Sequence, residues 1–430
     1  MNICVSGNQV LSGTIHPSGS KNSVLALIPA TILFDKPVTL ENVPEIADVN
    51  RLVKILLKLG SKITWDKQKK TMQIDNKSLS LKDVTQEDVG SMRATTLLWG
   101  PLLGRFKDVD FSNFPGGCTL GVRTLEPHFE AFADMGVKVT QTRSGIKLDA
   151  STVKSGEIWL TEMSPTATEN ILMLAATIPG MTKIVGAASE PQVQDTCRFL
   201  ISAGVQITGI GSNILEITGR KNLKNPGHFR IPSDHYEIGT FLIFGAVTGG
   251  KITVTDVDPL YNRPVLHEMK RLGLKVKTQD SQVTVLPNQQ VSLEKRSNGQ
   301  SMIIRAQPWP SLPVDMLPIF IPLVLTGNSG SVLFHNWMYE AALFWTSELL
   351  KLGANIVMCD PHRVIVNPGN KLRGATIEAP YIIRAAVSMV MAAMIAQGES
   401  TILNADALYR GHPHFSENLR LLGAKIEEID

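Results

Sequence analysis

Six copies of one pattern constrain this chain more than any single motif does. Each copy is an amphipathic stretch, then a glycine, then a short β-branched run. The copies read LVKILLKLGSKITW, HFEAFADMGVKVTQ, TCRFLISAGVQITG, VLHEMKRLGLKVKT, WTSELLKLGANIVM and SENLRLLGAKIEEI. Their glycines are Gly60, Gly136, Gly204, Gly273, Gly353 and Gly423. A spacing of roughly 70 to 80 residues marks an array of similar units. In the first copy Val49, Leu52, Val53 and Leu56 share one helical face. Glycine just past the last helical residue suits a left-handed C-terminal cap. Each copy therefore predicts an exposed helix, a glycine stop and a strand.

A second pattern is interleaved with the first, again six times: SGSKNSVLALIPATIL, SMRATTLLWGPLL, SPTATENILMLAATI, SDHYEIGTFLIFGAV, LPVDMLPIFIPLVL and APYIIRAAVSMVMAAMI. Each opens on a polar residue and is apolar nearly all round, which is the pattern of a buried helix. The sixth repeat lacks its terminal hairpin strands, while residues 1–20 read as two short strands, Asn2–Ser6 and Leu11–His16. The first residues thus supply what the last repeat lacks. This predicts a discontinuous domain, 1–20 plus 233–430, and an inserted domain, 21–232, with three repeats in each.

With 430 residues, 43% apolar and 19% charged, the chain has ample core for two or three domains. A net charge of +3 does not point to nucleic acid or a membrane surface. No run of 18 apolar residues suggests a spanning helix, and Met1-Asn2-Ile3-Cys4-Val5 lacks the pattern of a secretory leader. The cysteines Cys4, Cys118, Cys197 and Cys359 are far apart, with no CxxC pair or nearby histidine cluster. Neither a metal site nor a disulfide framework is expected, and a reducing cytoplasm is the natural setting.

Helix N-termini present free N–H groups and attract anions. The buried-helix starts carry Lys21, Asn22, Arg93, Asp234, Glu237, Asp315 and Arg384. Converging starts from two domains would make a cleft rich in dipoles and ionisable groups; any one of these residues would serve equally as an ordinary cap. The segment Phe114-Pro115-Gly116-Gly117-Cys118-Thr119-Leu120-Gly121-Val122-Arg123 demands a loop of unusual dihedrals. A thiol on such a loop, close to an arginine, is a candidate reactive group, with a small buried cysteine as the alternative. Cys4, Cys197 and Cys359 lie in apolar contexts and are expected in the core. Trp309-Pro310-Ser311-Leu312-Pro313-Val314-Asp315 is a stiff approach that would hold Asp315 rigidly. Arg410-Gly411-His412 ends a loop before the last surface helix.

Taken together, SGSKNSVLAL, SMRA, FPGGCTLGVR, SDHYEIGTFL, PWPSLPVDM and YRG followed by LRLLGAKIE resemble the UDP-N-acetylglucosamine enolpyruvyl transferase family over essentially the whole chain. The resemblance implies an α/β fold: a two-domain inside-out α/β barrel of six βαβαββ repeats, three per domain, with helices buried in each. It implies transfer of the enolpyruvyl group of phosphoenolpyruvate to a UDP-sugar, with no cofactor, no metal, and a monomer or weak homo-oligomer. By match, Cys118 is the general acid, Asp315 the base, and Lys21 and Arg410, with Arg123, hold phosphoenolpyruvate. Asn22, Arg93, His128, Ser164, Asp234, Leu333 and Arg384 are the further substrate-binding positions. The resemblance also makes Cys118 a target for fosfomycin-type epoxides.

The sequence departs from the family on the acceptor side. The short Asp-Leu-Arg segment is Ile382-Ile383-Arg384 here, the Asn-Arg pair is Asn336-Trp337, and the Arg-Pro-x-Asp-Leu run is Arg123-Thr124-Leu125-Glu126-Pro127. These departures keep two alternatives open. One is an enolpyruvyl transferase for another acceptor such as UMP; the other is a non-catalytic nucleotide-sugar-binding paralogue.

Overall fold

The computed structural model describes residues 1–81, 93–111, 124–142, 145–293 and 298–429, with the side chains of Arg93 and Phe111 excepted. The described residues of 19–232 form one compact unit; those of 1–18 together with 233–430 form another.

Among the described residues, five of the six small sheets contain a parallel pair of strands extended by antiparallel ones. In the first unit one sheet runs His228–Arg230, Val38–Glu41, Thr71–Asp75, Lys62–Asp66, with the first two parallel. A second runs Gln206–Thr208, Ile214–Gly219, Gly180–Val185, Glu157–Trp159, with the last two parallel. The third, Asp108–Phe111, Gly145–Asp149, Lys138–Thr142, has three strands among the described residues, all antiparallel. The other unit repeats the design with Val276–Gln279, Gln282–Val285, Ile252–Val254 and Gly13–Ile15. Its second sheet is Met302–Arg305, Val332–His335, Arg363–Asn367, Asn355–Asp360. Its third is Thr376–Glu378, Glu399–Leu403, Asn2–Ser6, Ile426–Ile429. The strand Asn2–Ser6 thus completes the sheet of the last repeat.

The helices sort as their periodicity predicts. His235–Thr248 is buried at every residue, and Ile383–Ile395 and Lys21–Ala30 nearly so. They fill the interior of each unit, where a fully buried Leu, Ile or Phe contributes about 1.5–3 kcal/mol. Ala47–Lys58 instead buries one stripe, Asp48, Val49, Leu52, Ile55 and Leu56; Ile55 takes the place expected of Val53, which is only partly covered. All six stop glycines have positive φ, between 79° and 95°. At Gly60 the N–H of Ser61 reaches back to Leu56 O and that of Gly60 to Leu57 O, and an added Cβ would lie 2.7 Å from Ser78 O. Gly100 has a different reason: a Cβ there would meet Asn170 O at 2.2 Å, so its absence lets Trp99–Phe106 pack tightly on Pro165–Ala175.

Local expectations are corrected at three places. Two of the six buried helices begin as 3₁₀ turns, Arg93–Leu98 and Val314–Ile319, before continuing as Trp99–Phe106 and Phe320–Leu325. Pro318 and Pro322 withhold two N–H donors from the second of these. The strand expected over Leu11–His16 is shorter, Gly13–Ile15; Leu11 leaves it to donate its N–H to Thr248 Oγ1. Of the cysteines expected in the core, only Cys197 is buried; Cys4 is partly exposed and Cys359 exposed. Strand alternation turns Ile3 and Val5 inward and Cys4 outward, and Cys359 lies on the edge strand Asn355–Asp360. No helix among the described residues is long and apolar enough to cross a membrane.

Candidate active site

In the unit of residues 19–232 the buried helices pack on one another. Ser20 caps Lys21–Ala30 by accepting the Ser23 N–H, which satisfies one of the free donors at that end. Lys21 is the first helical residue, and its Nζ lies 3.0 Å from Asp48 Oδ2, a mostly buried carboxylate on the neighbouring surface helix. Asn22 is partly exposed. Ser164 caps Pro165–Ala175 through the Ala167 N–H. Arg93 opens the 3₁₀ turn Arg93–Leu98, which packs on both helices; its side chain, like Cys118 and Arg123 entirely, lies outside the described residues.

His128 does not present a nitrogen for recognition. It is 1% exposed, with Nε2 at 3.1 Å from Thr166 Oγ1, Nδ1 at 3.2 Å from Asn170 Nδ2, and its ring edge-on to Trp99. It ties its surface helix to the buried helix Pro165–Ala175.

Spacing alone missed an acidic group below these starts. Glu190 and Asp195 lie close enough to Glu169 to repel a charge on it. Asp195 accepts from Ser23 Oγ at 2.6 Å and pairs with Arg198 at 3.1 Å. Glu169 is pushed well above the ordinary carboxylate range, first by burial and then by the charges of Glu190 and Asp195. Its protonated form is therefore favoured relative to that of an exposed carboxyl.

In the other unit Asp234 caps His235–Thr248, accepting the N–H groups of Tyr236 and Glu237 at 2.8 and 3.0 Å. The 3₁₀ turn carrying Asp315 packs on this helix and on Ile383–Ile395, and Asp315 is partly exposed. Leu333 sits on Val332–His335, on the face opposite the buried Val332 and Phe334. Arg410 ends the turn Ala405–Arg410, stacked 4.6 Å over Tyr381; its Nε is buried with no hydrogen-bond partner among the described residues. Arg384 is buried, 5.3 Å over the Tyr236 ring, with Nη1 donating to Thr240 Oγ1 and to His412 Nε2. Next to Asp234, His235 is held near pKa 4 by burial, so it stays neutral at pH 7. Asp234, Asp315 and Arg384 thus belong to three packed helices of one unit.

These groups suit anion handling: cations, helix starts and carboxylates, with no cluster of three metal-ligating side chains among the described residues. Residues 5–419 match the model of the EPSP synthase (3-phosphoshikimate 1-carboxyvinyltransferase) family. The chain is 38% identical to a UDP-N-acetylglucosamine 1-carboxyvinyltransferase of Bradyrhizobium diazoefficiens, over 99% of the chain and 97% of that relative. It is 37% identical to one of Borrelia garinii (99% and 98% covered) and 35% identical to one of Bacteroides thetaiotaomicron (99% and 99%). Among solved structures, the enolpyruvyl transferase NikO from Streptomyces tendae superposes with TM-score 0.86 at 21% identity, covering 99% of this chain and 98% of that one. EPSP synthase from Acinetobacter baumannii superposes with TM-score 0.76 at 17% identity, covering 99% of each chain. Those two likenesses establish the two-domain inside-out α/β fold. The chain belongs to the 1-carboxyvinyl (enolpyruvyl) transferase family, alongside the UDP-N-acetylglucosamine enolpyruvyl transferases.

Proposed function

We propose that this enzyme transfers the enolpyruvyl group of phosphoenolpyruvate to the 3-hydroxyl of UDP-N-acetylglucosamine and releases phosphate, the first committed step of peptidoglycan synthesis. The observation that carries the reading is the 38% identity to a transferase of that name along nearly its full length. The cytoplasm, where both substrates would be met, is the proposed compartment.

The chemistry requires a proton at C3 of phosphoenolpyruvate and addition of the sugar oxygen at C2. The tetrahedral ketal then loses phosphate from C2 and a proton from C3, which restores the double bond. One acid, one base and cations for the phosphate and carboxylate are enough. Cys118 is assigned as the acid and Asp315 as the base that takes the 3-hydroxyl proton. Lys21, Arg123 and Arg410 are assigned to phosphoenolpyruvate. A guanidinium with an unpartnered buried Nε, as at Arg410, is ready for an oxyanion. Asn22, Arg93, Ser164, Asp234, Leu333 and Arg384 remain the proposed contacts to the sugar nucleotide or the anions.

Phosphate release from phosphoenolpyruvate, measured with UDP-N-acetylglucosamine and with UMP, tests this. Release with the UDP-sugar is expected. Release with UMP alone would transfer the reading to another acceptor, the outcome that Ile382 and Trp337 motivate. Release with neither would leave a nucleotide-sugar-binding protein. Labelling of Cys118 by a fosfomycin-type epoxide is expected in the wild type and absent in Cys118→Ser.

A further inference from the structure

Arg384 is a cation with little water around it, 8% exposed. No carboxylate lies within ion-pair distance of it among the described residues. Its charge is met instead by the Tyr236 ring, Thr240 Oγ1 and His412 Nε2. A guanidinium only donates, so the imidazole nitrogen it touches must accept and cannot carry a proton. The imidazole hydrogen then belongs on Nδ1, and Nδ1 faces Glu237 Oε1 at 4.0 Å. Glu237 is itself fixed: Oε2 accepts the Ser18 N–H at 2.8 Å, and Asn418 Nδ2 approaches Oε1 at 3.5 Å. Phe241 and Phe415 flank the imidazole and exclude water. The charged groups facing His412 are Arg384, Glu237 and Asp234. Burial, then Arg384, holds its pKa below the ordinary 6.5, against the pull of the two carboxylates.

We infer that His412, backed by Glu237, is a positioning residue that holds Arg384 for an anionic group of the substrate, and does so only while neutral. A proton on Nε2 would set a donor and a second cation against the guanidinium, and Arg384 would keep only Thr240 Oγ1 as an acceptor. The inference rests on the proposed reading of Arg384 as a substrate contact. It adds a pH-dependent requirement two residues beyond Arg410.

The test compares wild type, His412→Phe and His412→Gln by steady-state kinetics for both substrates and by thermal unfolding, from pH 5.5 to 8.5. At pH 8 the phenylalanine variant, with no acceptor, should raise KM for an anionic substrate by about tenfold or more, with a smaller change in kcat. Glutamine offers an amide oxygen and should recover most of that loss. It should also lack the share of the wild-type acid-side rise in KM that comes from His412. A wild-type KM in His412→Phe, or an unaltered acid limb in His412→Gln, would overturn the inference.

Unfolding supplies a readout that does not need turnover. A histidine kept neutral by the fold contributes stability that is present above 6.5 and lost as pH falls below it, because the unfolded chain takes the proton. The decline in Tm below pH 6.5 should therefore be shallower in His412→Gln than in wild type, and an equal decline would refute the neutral state. Absent phosphate release by wild type would instead sink the proposed function, leaving the unfolding result to judge the histidine.

Discussion

The two sets of helix starts face opposite electrostatic problems. In the unit of residues 19–232, three carboxylates crowd together, Glu169, Glu190 and Asp195. In the other, a guanidinium is buried at Arg384 with no carboxylate beside it among the described residues. A direct ion pair solves neither problem completely. The acidic group is eased because burial and its neighbours favour the protonated form of Glu169; the basic one is eased because burial and Arg384 favour the neutral form of His412. Isolated charge in a dry interior costs several kcal/mol, so a neutral neighbour with the right lone pair or hydrogen is the cheaper solution. Lys21 with Asp48 shows the other option, a close pair at a partly exposed edge.

Four substitutions bear on this contrast, beginning with the largest effect. Asp315→Asn should lower kcat by roughly 10²- to 10⁴-fold with a much smaller change in KM for the UDP-sugar, because a positioned base is lost. Retained kcat would move the base elsewhere. Next, Glu237→Ala removes the carboxylate behind His412 and leaves the Ser18 N–H unanswered; urea unfolding at pH 7.5 should show a loss of about 2–3 kcal/mol. A loss below about 0.5 kcal/mol would mean that Arg384 and His412 need no backing. Ile382→Asp supplies a side-chain cap where Ile383–Ile395 has none, and should add about 1 kcal/mol by the same assay.

Glu169→Gln should have the smallest effect near pH 5, within about 0.5 kcal/mol of wild type, since glutamine resembles the protonated acid. The sign with pH follows from the raised pKa. That stability is full below the ordinary value of 4.5 and is lost as pH rises toward the folded-state value. The variant should therefore gain on wild type between pH 5 and pH 8. A constant difference would show that Glu169 is ionised in the fold.

The glycine stops and the buried helices were legible because both depend on neighbours within one turn of the chain. A left-handed cap needs glycine wherever it falls, and an all-apolar stretch has no solvent face to offer. The misreadings have a different origin. Cys359 looks apolar by context, but only sheet order reveals that its strand is at an edge. His128 is named by resemblance, and its contacts with Thr166 and Asn170 come from another repeat. The acidic group required Ser23 and Asp195 to meet across 172 positions, and the Arg384 relay required Glu237 to face His412. Such pairs carry no local signal, since each partner alone reads as a cap or a surface charge.

The placement of Asn2–Ser6 has a temporal consequence. Ile3 lies opposite Ile402 on one side and Glu428 on the other. A ribosome makes that strand long before either of its partners. At about 5–20 residues per second the wait is on the order of a minute. The unit of residues 19–232 has all its strands well before then. During synthesis, both sides of this strand must stay unclaimed by the wrong neighbour until Glu399–Leu403 and Ile426–Ile429 emerge.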